Sequence, residues 1–187
     1  MSTEPRTLAG YVVELVDRLD AGDPAAGRRL RRVVAGRRAR IQVGDEAVVV
    51  DFSDGQLRVM DAGTCRERVD GDGVTDRATV IDLLDARTDV TACILNGRIQ
   101  VRGAWHDVAD MFLAIEIVLD ATPRVPALRR LAREYRDQVR PLLTAERLRG
   151  TAAGGYRWPP HAVDDTERAL LSSLGLLPPG GDGGTSP

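Results

Sequence analysis

Lysine is missing altogether. All 26 basic side chains are arginine, set against 28 aspartates and glutamates for a formal net charge of −2. So balanced a chain has neither the basic excess of a nucleic-acid binder nor the acidic excess of a solvating segment, and no nucleic-acid partner is expected. Arg, Ala, Gly, Val and Asp dominate, so the missing lysines read as the codon bias of a high-G+C bacterial genome. Cysteine is almost as scarce. Cys65 and Cys93 form no CxxC, which excludes a disulfide-dense scaffold and a Cys-rich zinc site. With His106 and His161 the only histidines, no metal site and no cofactor are expected. Ser53, Ser172 and Ser173 lack a G-x-S-x-G setting, so a hydrolase nucleophile has no support. Long hydrophobic runs are absent too. The longest, 111–119, contains Glu116 and falls far short of a membrane span. "MSTEPRTLAG" lacks the charged and apolar regions of a signal peptide, which sets a cytoplasmic expectation.

What is present is an alternation of helical and strand patterns. The length of 187 residues suits one domain plus an appendage, and no internal repeat is visible. Leu8, Tyr11, Val12, Leu15, Val16 and Leu19 recur at helical spacing until Gly22 and Pro24. "PAAGRRLRRVVAGRR" predicts a second, basic helix with Leu30, Val33 and Val34 inward. Strand patterns follow. Ile41 and Val43 share a face, as do Val48, Val50 and Phe52, and then Leu57 and Val59. Asp54-Gly55 between the last two predicts a two-residue hairpin link. "AGTCRERVDGDGVTD" has too few apolar positions to mark a fourth strand.

Thr75 or Asp76 can cap the next helix, with Val80, Leu83 and Leu84 inward. Asn96-Gly97 can either turn a hairpin or close a short helix. "GRIQVRG" reads as a further strand, and an apolar helix runs from about Ala104 to Ala121. That helix is greasy on more than one face, so it must bury more than one face. After Pro123 and Pro126, Leu128, Leu131, Tyr135 and Val139 give a surface helix a stripe with which to dock. Pro141 should kink or end it.

In order, "RIQV", "AVVVDFSDGQLRV", "TVIDLLDARTDVTACILNGRIQVRG" and "DVADMFLAIEIVLD" resemble the sterol carrier protein type 2 family. The carrying features are Leu83-Leu84, a short helical turn over 90–95, and the Gly97–Gly103 strand with its Gly-basic-apolar-x-apolar-x-Gly pattern. The resemblance covers residues 6–122; 123–177 would be a helical extension, and 178–187 a disordered tail from their Gly and Pro content. It implies an α+β fold, a five-stranded, mostly antiparallel sheet covered by helices. It also implies a hydrophobic tunnel between sheet and helices that holds sterols, fatty acyl chains or other lipids.

On that reading the apolar helix packs one face on the sheet and lines the tunnel with another. Candidate lining residues are Val48, Val50, Phe52, Leu57, Val59, Ile99, Val101, Met111, Phe112 and Ile115. The function expected is non-catalytic binding or transfer of a lipid or other hydrophobic small molecule. The competing reading covers the second helix face with C-terminal helices as ordinary core, giving a protein-interaction or oligomerisation module. An accessory protein presenting a hydrophobic substrate to an enzyme is a further alternative.

The sharper motifs carry less. His106 and Asp107 are neighbours on a helix and point about 100° apart, so a catalytic pair is not expected. Cys93 reads as a small buried hydrophobe. The seven arginines from Arg28 to Arg40 either touch anionic lipid head groups transiently or form a solvated face paired with aspartates. Tyr156 and Trp158 can clamp the tunnel mouth, bind a partner or staple the tail. The Leu170, Leu171, Leu174, Leu176 and Leu177 stripe is too greasy to stay free, and should dock on the domain or a second subunit. The chain ends Thr185-Ser186-Pro187 rather than in a peroxisomal Ser-Lys-Leu, in keeping with the cytoplasmic expectation.

Overall fold

In the computed structural model, which describes residues 5–65 and 68–148, the first two helices meet at an aspartate. α1 (Leu8–Gly22) stops at Asp23, which caps α2 (Pro24–Val34). The Asp23 carboxylate accepts the Ala26 N–H at 3.0 Å, and Pro24 takes the first helical position, where a missing N–H costs nothing. That backbone bond, helped by Arg124, holds the Asp23 carboxyl below the usual range.

β1 (Arg38–Val43) and β2 (Glu46–Asp51) form a hairpin through Gly44-Asp45. Gly44 takes φ +63°, which a tight hairpin turn reserves for glycine. β3 (Arg58–Asp61) pairs with β2 only from Asp51↔Arg58, so the link between them is Phe52–Leu57. This corrects the expected two-residue Asp54-Gly55 turn. Phe52 has left the ladder with β3. Its N–H donates to Arg37 O at 2.9 Å and its carbonyl accepts from Gly36 N at 3.2 Å, while Asp51 Oδ1 accepts the Ser53 N–H at 2.8 Å. The bonds from Ser53, with Arg38 beside them, pull the buried Asp51 carboxyl down to about 2.

The unmarked fourth strand exists and is central. β4 (Gly71–Thr75) lies parallel to β1 on one side and antiparallel to β5 (Ile99–Gly103) on the other, giving the order β3-β2-β1-β4-β5. Its apolar alternation is missing because another side chain occupies that space. A Cβ on Gly71 would fall 2.4 Å from Met111 Sδ, and one on Gly73 3.1 Å from Met111 Cε. The fold is thus α+β, a mixed five-stranded sheet with helices.

Of the two possible caps for α3 (Arg77–Leu84), Asp76 is the one used: it accepts the Thr79 N–H at 2.6 Å, while the Thr75 hydroxyl donates to Arg98 O. Asp89 caps α4 (Val90–Leu95), and Asn96-Gly97 closes that helix rather than turning a hairpin. α3 ends in a Schellman motif: Ala86 N–H bonds Leu83 O at 3.1 Å and Arg87 N–H bonds Asp82 O at 2.9 Å. The left-handed residue is Ala86, at φ +53°, where glycine is the usual occupant. Relief of that conformation outweighs the added chain entropy. Ala86→Gly should therefore stabilise the protein by about 1 kcal/mol, read as a rise of about 2–4 °C in a thermal melt. An unchanged or lower midpoint would show the residue unstrained.

α5 (Trp105–Ala121) is followed by α6 (Pro126–Leu148), which continues through Pro141 instead of ending there. Leu128, Leu131, Ala132 and Val139 are buried. Gln138 ties the helix to the N-terminus. Its Oε1 accepts from Arg6 N and from the Tyr11 hydroxyl at 3.0 and 3.1 Å, and its Nε2 donates to Arg6 O. On α3, Arg136 donates to Leu84 O and pairs with Asp85, both at 2.7 Å. The compact unit consequently extends to Leu148, whereas the resemblance stops at residue 122. Among the described residues no helix is long and apolar enough to cross a membrane. Tyr156, Trp158, the five leucines from Leu170 to Leu177 and the 178–187 tail lie outside the described residues.

Candidate functional site

The faces of α5 go to different places. Ile117 and Ala121 are buried with Val16, Leu19, Leu30, Val125 and Leu128, an ordinary core shared with α1, α2 and the start of α6. Phe112, Ile115 and Leu119 pack against Val90, Cys93 and Ile99, so Cys93 is a core hydrophobe as expected. Between these two clusters, Met111, Ala114, Ile115, Val118 and Leu119 face a hollow of about 390 Å³.

Sheet and helices each supply part of its wall. Strand register puts Ala39, Ile41, Val43, Val50, Gly71, Gly73, Thr75 and Ile99 on one face, and all of them line the hollow. Leu8, Tyr11, Val12, Leu15 and Val16 of α1, Leu30 and Val34 of α2, and Val80, Leu83 and Leu84 of α3 complete the near side. α6 adds Leu128, Leu131, Ala132 and Tyr135. The lining is almost wholly apolar, and its volume is in the range of small-molecule sites.

Of the residues singled out from the sequence, Val50, Phe52, Ile99, Met111 and Ile115 line this hollow. Five others lie to its sides. Val48 is buried with Val50 and Phe52, where Leu57 and Val59 pack on it together with Leu8, Ala9 and Val12 of α1. Val101 and Phe112 pack on the Val90–Cys93–Ile99 cluster. Sequence reasoning missed the α1 and α6 walls, although their i, i+3, i+4, i+7 stripes were visible as amphipathic helices.

Polar groups stand at the margins. Arg37 reaches Asp107 and, at 3.0 Å, Asp110; Asp70 lies beside them. His106 Nε2 also comes within 3.2 Å of Asp107 Oδ1, a contact that the 100° helical offset did not predict. The imidazole is 65% exposed, on a carboxylate already held by Arg37. Elsewhere on the wall, Tyr135 packs edge-on against Tyr11 with ring centroids 5.1 Å apart. Its hydroxyl is buried with no hydrogen-bond partner among the described residues, and burial pushes its pKa up to about 12. It therefore stays a neutral hydroxyl. Among the described residues no cluster of His, Cys, Asp and Glu is placed to hold a metal.

Fold and hollow together define an α+β domain with an apolar hollow between sheet and helices. The chain is similar in structure to a UbiJ-SCP2 ubiquinone synthesis protein, at 21% identity and TM-score 0.47 over 63% of this chain and 95% of that one. It is also similar to the sterol carrier protein domain 2 of Helicoverpa armigera (15%, TM-score 0.46, 63% and 94%). A third similar structure is the apo form of Yarrowia lipolytica sterol carrier protein 2 (12%, TM-score 0.43, 64% and 99%). No family model matches the chain, and neither does any curated protein.

Proposed function

We propose that this chain binds and carries a hydrophobic small molecule, a lipid by chemistry, and performs no reaction on it. The observation that carries the reading is the cavity of about 390 Å³ with its nearly uninterrupted apolar lining. An apolar hollow of this size gains contacts when a hydrophobic ligand fills it. Burying ten methylenes there would contribute about 8 kcal/mol gross, from which association costs are subtracted. Binding of this kind is reversible and weakly selective along the chain, as a carrier requires. The resemblance noted in the sequence to the sterol carrier protein type 2 family points the same way. The cytoplasm is the proposed location, and any membrane contact is transient, for loading and release.

Native mass spectrometry of freshly purified protein, followed by organic extraction, tests the reading. The expected result is adduct mass in the native spectrum and lipid at near-stoichiometric amounts in the extract. Bare protein that also takes up no fatty acid, alcohol or sterol on incubation would overturn it.

A further inference from the structure

The apolar hollow has one charged end. The charged residues among its described lining are Arg37, Arg38, Asp70, Asp107 and Asp110, and all lie at the starts of β1, β4 and α5. These starts meet in space. The Asp70 N–H donates to Arg38 O at 2.7 Å, and the Asp70 carboxylate accepts the Arg38 N–H at 2.9 Å. A Cβ on Gly103, just before α5, would lie 2.7 Å from Asp70 O and 3.5 Å from Asp107 Cβ. Solvent reaches the lining here. Asp70 is the one fully exposed residue among the described lining, and the Arg37 and Asp110 side chains are each 33% exposed. Charged groups border an apolar hollow at little cost only where water shares their hydration. This end is therefore where the hollow meets water.

One side chain spans that end. Arg37 stands on the link between α2 and β1, and its guanidinium reaches α5, where it pairs with Asp107 and, at 3.0 Å, with Asp110. The two carboxylates sit at i and i+3, so they share one face of the helix. The backbone of Arg37 is fixed. Its N–H donates to Val34 O at 3.0 Å, and its carbonyl accepts the Phe52 N–H at 2.9 Å. The part that can move is the half-exposed side chain, whose rotamers change without any shift of the fold.

We infer that this end is the portal of the hollow, and that the bridge from Arg37 to Asp107 and Asp110 is a latch that opens for the ligand to pass. This rests on the carrier reading above and adds a route to it. A latch lies across the path whether the hollow is full or empty. It slows entry and exit alike and leaves affinity unchanged. A residue that grips the ligand acts differently, changing affinity chiefly through release.

The test is stopped-flow exchange of a fluorescent polyene alcohol, a neutral probe, on the full chain and on Arg37→Gln and Asp110→Asn variants. Arg37→Gln should raise kon and koff together by about fivefold, the worth of a partly exposed ion pair, and leave Kd unchanged. Asp110→Asn keeps the Asp107 arm and should raise both rates by a smaller factor. Added salt should speed exchange in the full chain and do little in Arg37→Gln, because it screens the bridge. If Arg37→Gln fails to melt cooperatively, the salt series and Asp110→Asn decide. Rates that neither the variants nor salt change would place the portal elsewhere and leave the carrier reading standing. A changed Kd at constant kon would make Arg37 a residue that grips the ligand, and would overturn the latch. A full chain that binds no probe would remove the carrier reading, and this inference with it.

Discussion

Replacing Ala39 by Phe should empty the cavity of lipid while leaving the protein folded. Ala39 lies on β1 opposite Val50 and Gly71, and its side chain faces the hollow from the middle of the sheet. It belongs to none of the packed clusters of the core, so a larger side chain enters open space rather than filled space. An aromatic residue also suits a strand with one apolar face. The ring would displace roughly five methylenes of ligand at about 0.8 kcal/mol each, or about 4 kcal/mol. That corresponds to a loss of nearly three orders of magnitude in affinity. Titration with a fluorescent polyene fatty acid, alongside a thermal melt, separates the two effects. A native melt with unchanged affinity would mean that the ligand lies elsewhere; a collapsed melt would mean that the hollow cannot accept the ring.

The parts of this structure that were legible in the sequence are those in which one element's pattern suffices. α1, α5 and the β1–β2 pair follow from periodicity because each buries a face set by its own spacing. β4 was not legible, since its glycines answer to Met111, forty residues on, and not to a neighbour in the chain. The same holds for Phe52: its backbone bonds to Gly36 and Arg37 draw it out of the β3 ladder, and no local pattern announces that. For the cavity, period 2 assigns Val48, Val50 and Val59 to one face but is silent on what lies over each. Val50 meets open space. Val48 and Val59 meet α1 residues that close the sheet at that end. The lining contributed by α6 was hidden for another reason. An amphipathic stripe shows that a helix docks, and not whether it docks on a filled core or across a hollow.

Truncation after Thr122 should abolish cooperative folding, although the sequence resemblance ends there. Removing α6 uncovers the partners of Leu128, Leu131 and Val139, each at most 4% exposed. At about 1.5–3 kcal/mol for each buried side chain, these three alone contribute about 5–9 kcal/mol, against a typical total of 5–15 kcal/mol. Polar losses add to this. Without Gln138, the Tyr11 hydroxyl loses its acceptor, and the Arg6 backbone loses both bonds that fix the start of α1. Without Arg136, the Leu84 carbonyl loses its guanidinium donor and Asp85 keeps only Arg87 at the end of α3. The apolar cavity would also be open along one side to water, and no lipid tail would be enclosed. The expected product is a chain that keeps some helical circular dichroism, binds a hydrophobic dye strongly and melts without a clear transition. A truncated protein that melts cooperatively within a few degrees of the full chain would show α6 to be an accessory. A chain that folds only when excess lipid is supplied would show instead that ligand contacts can replace the wall α6 provides.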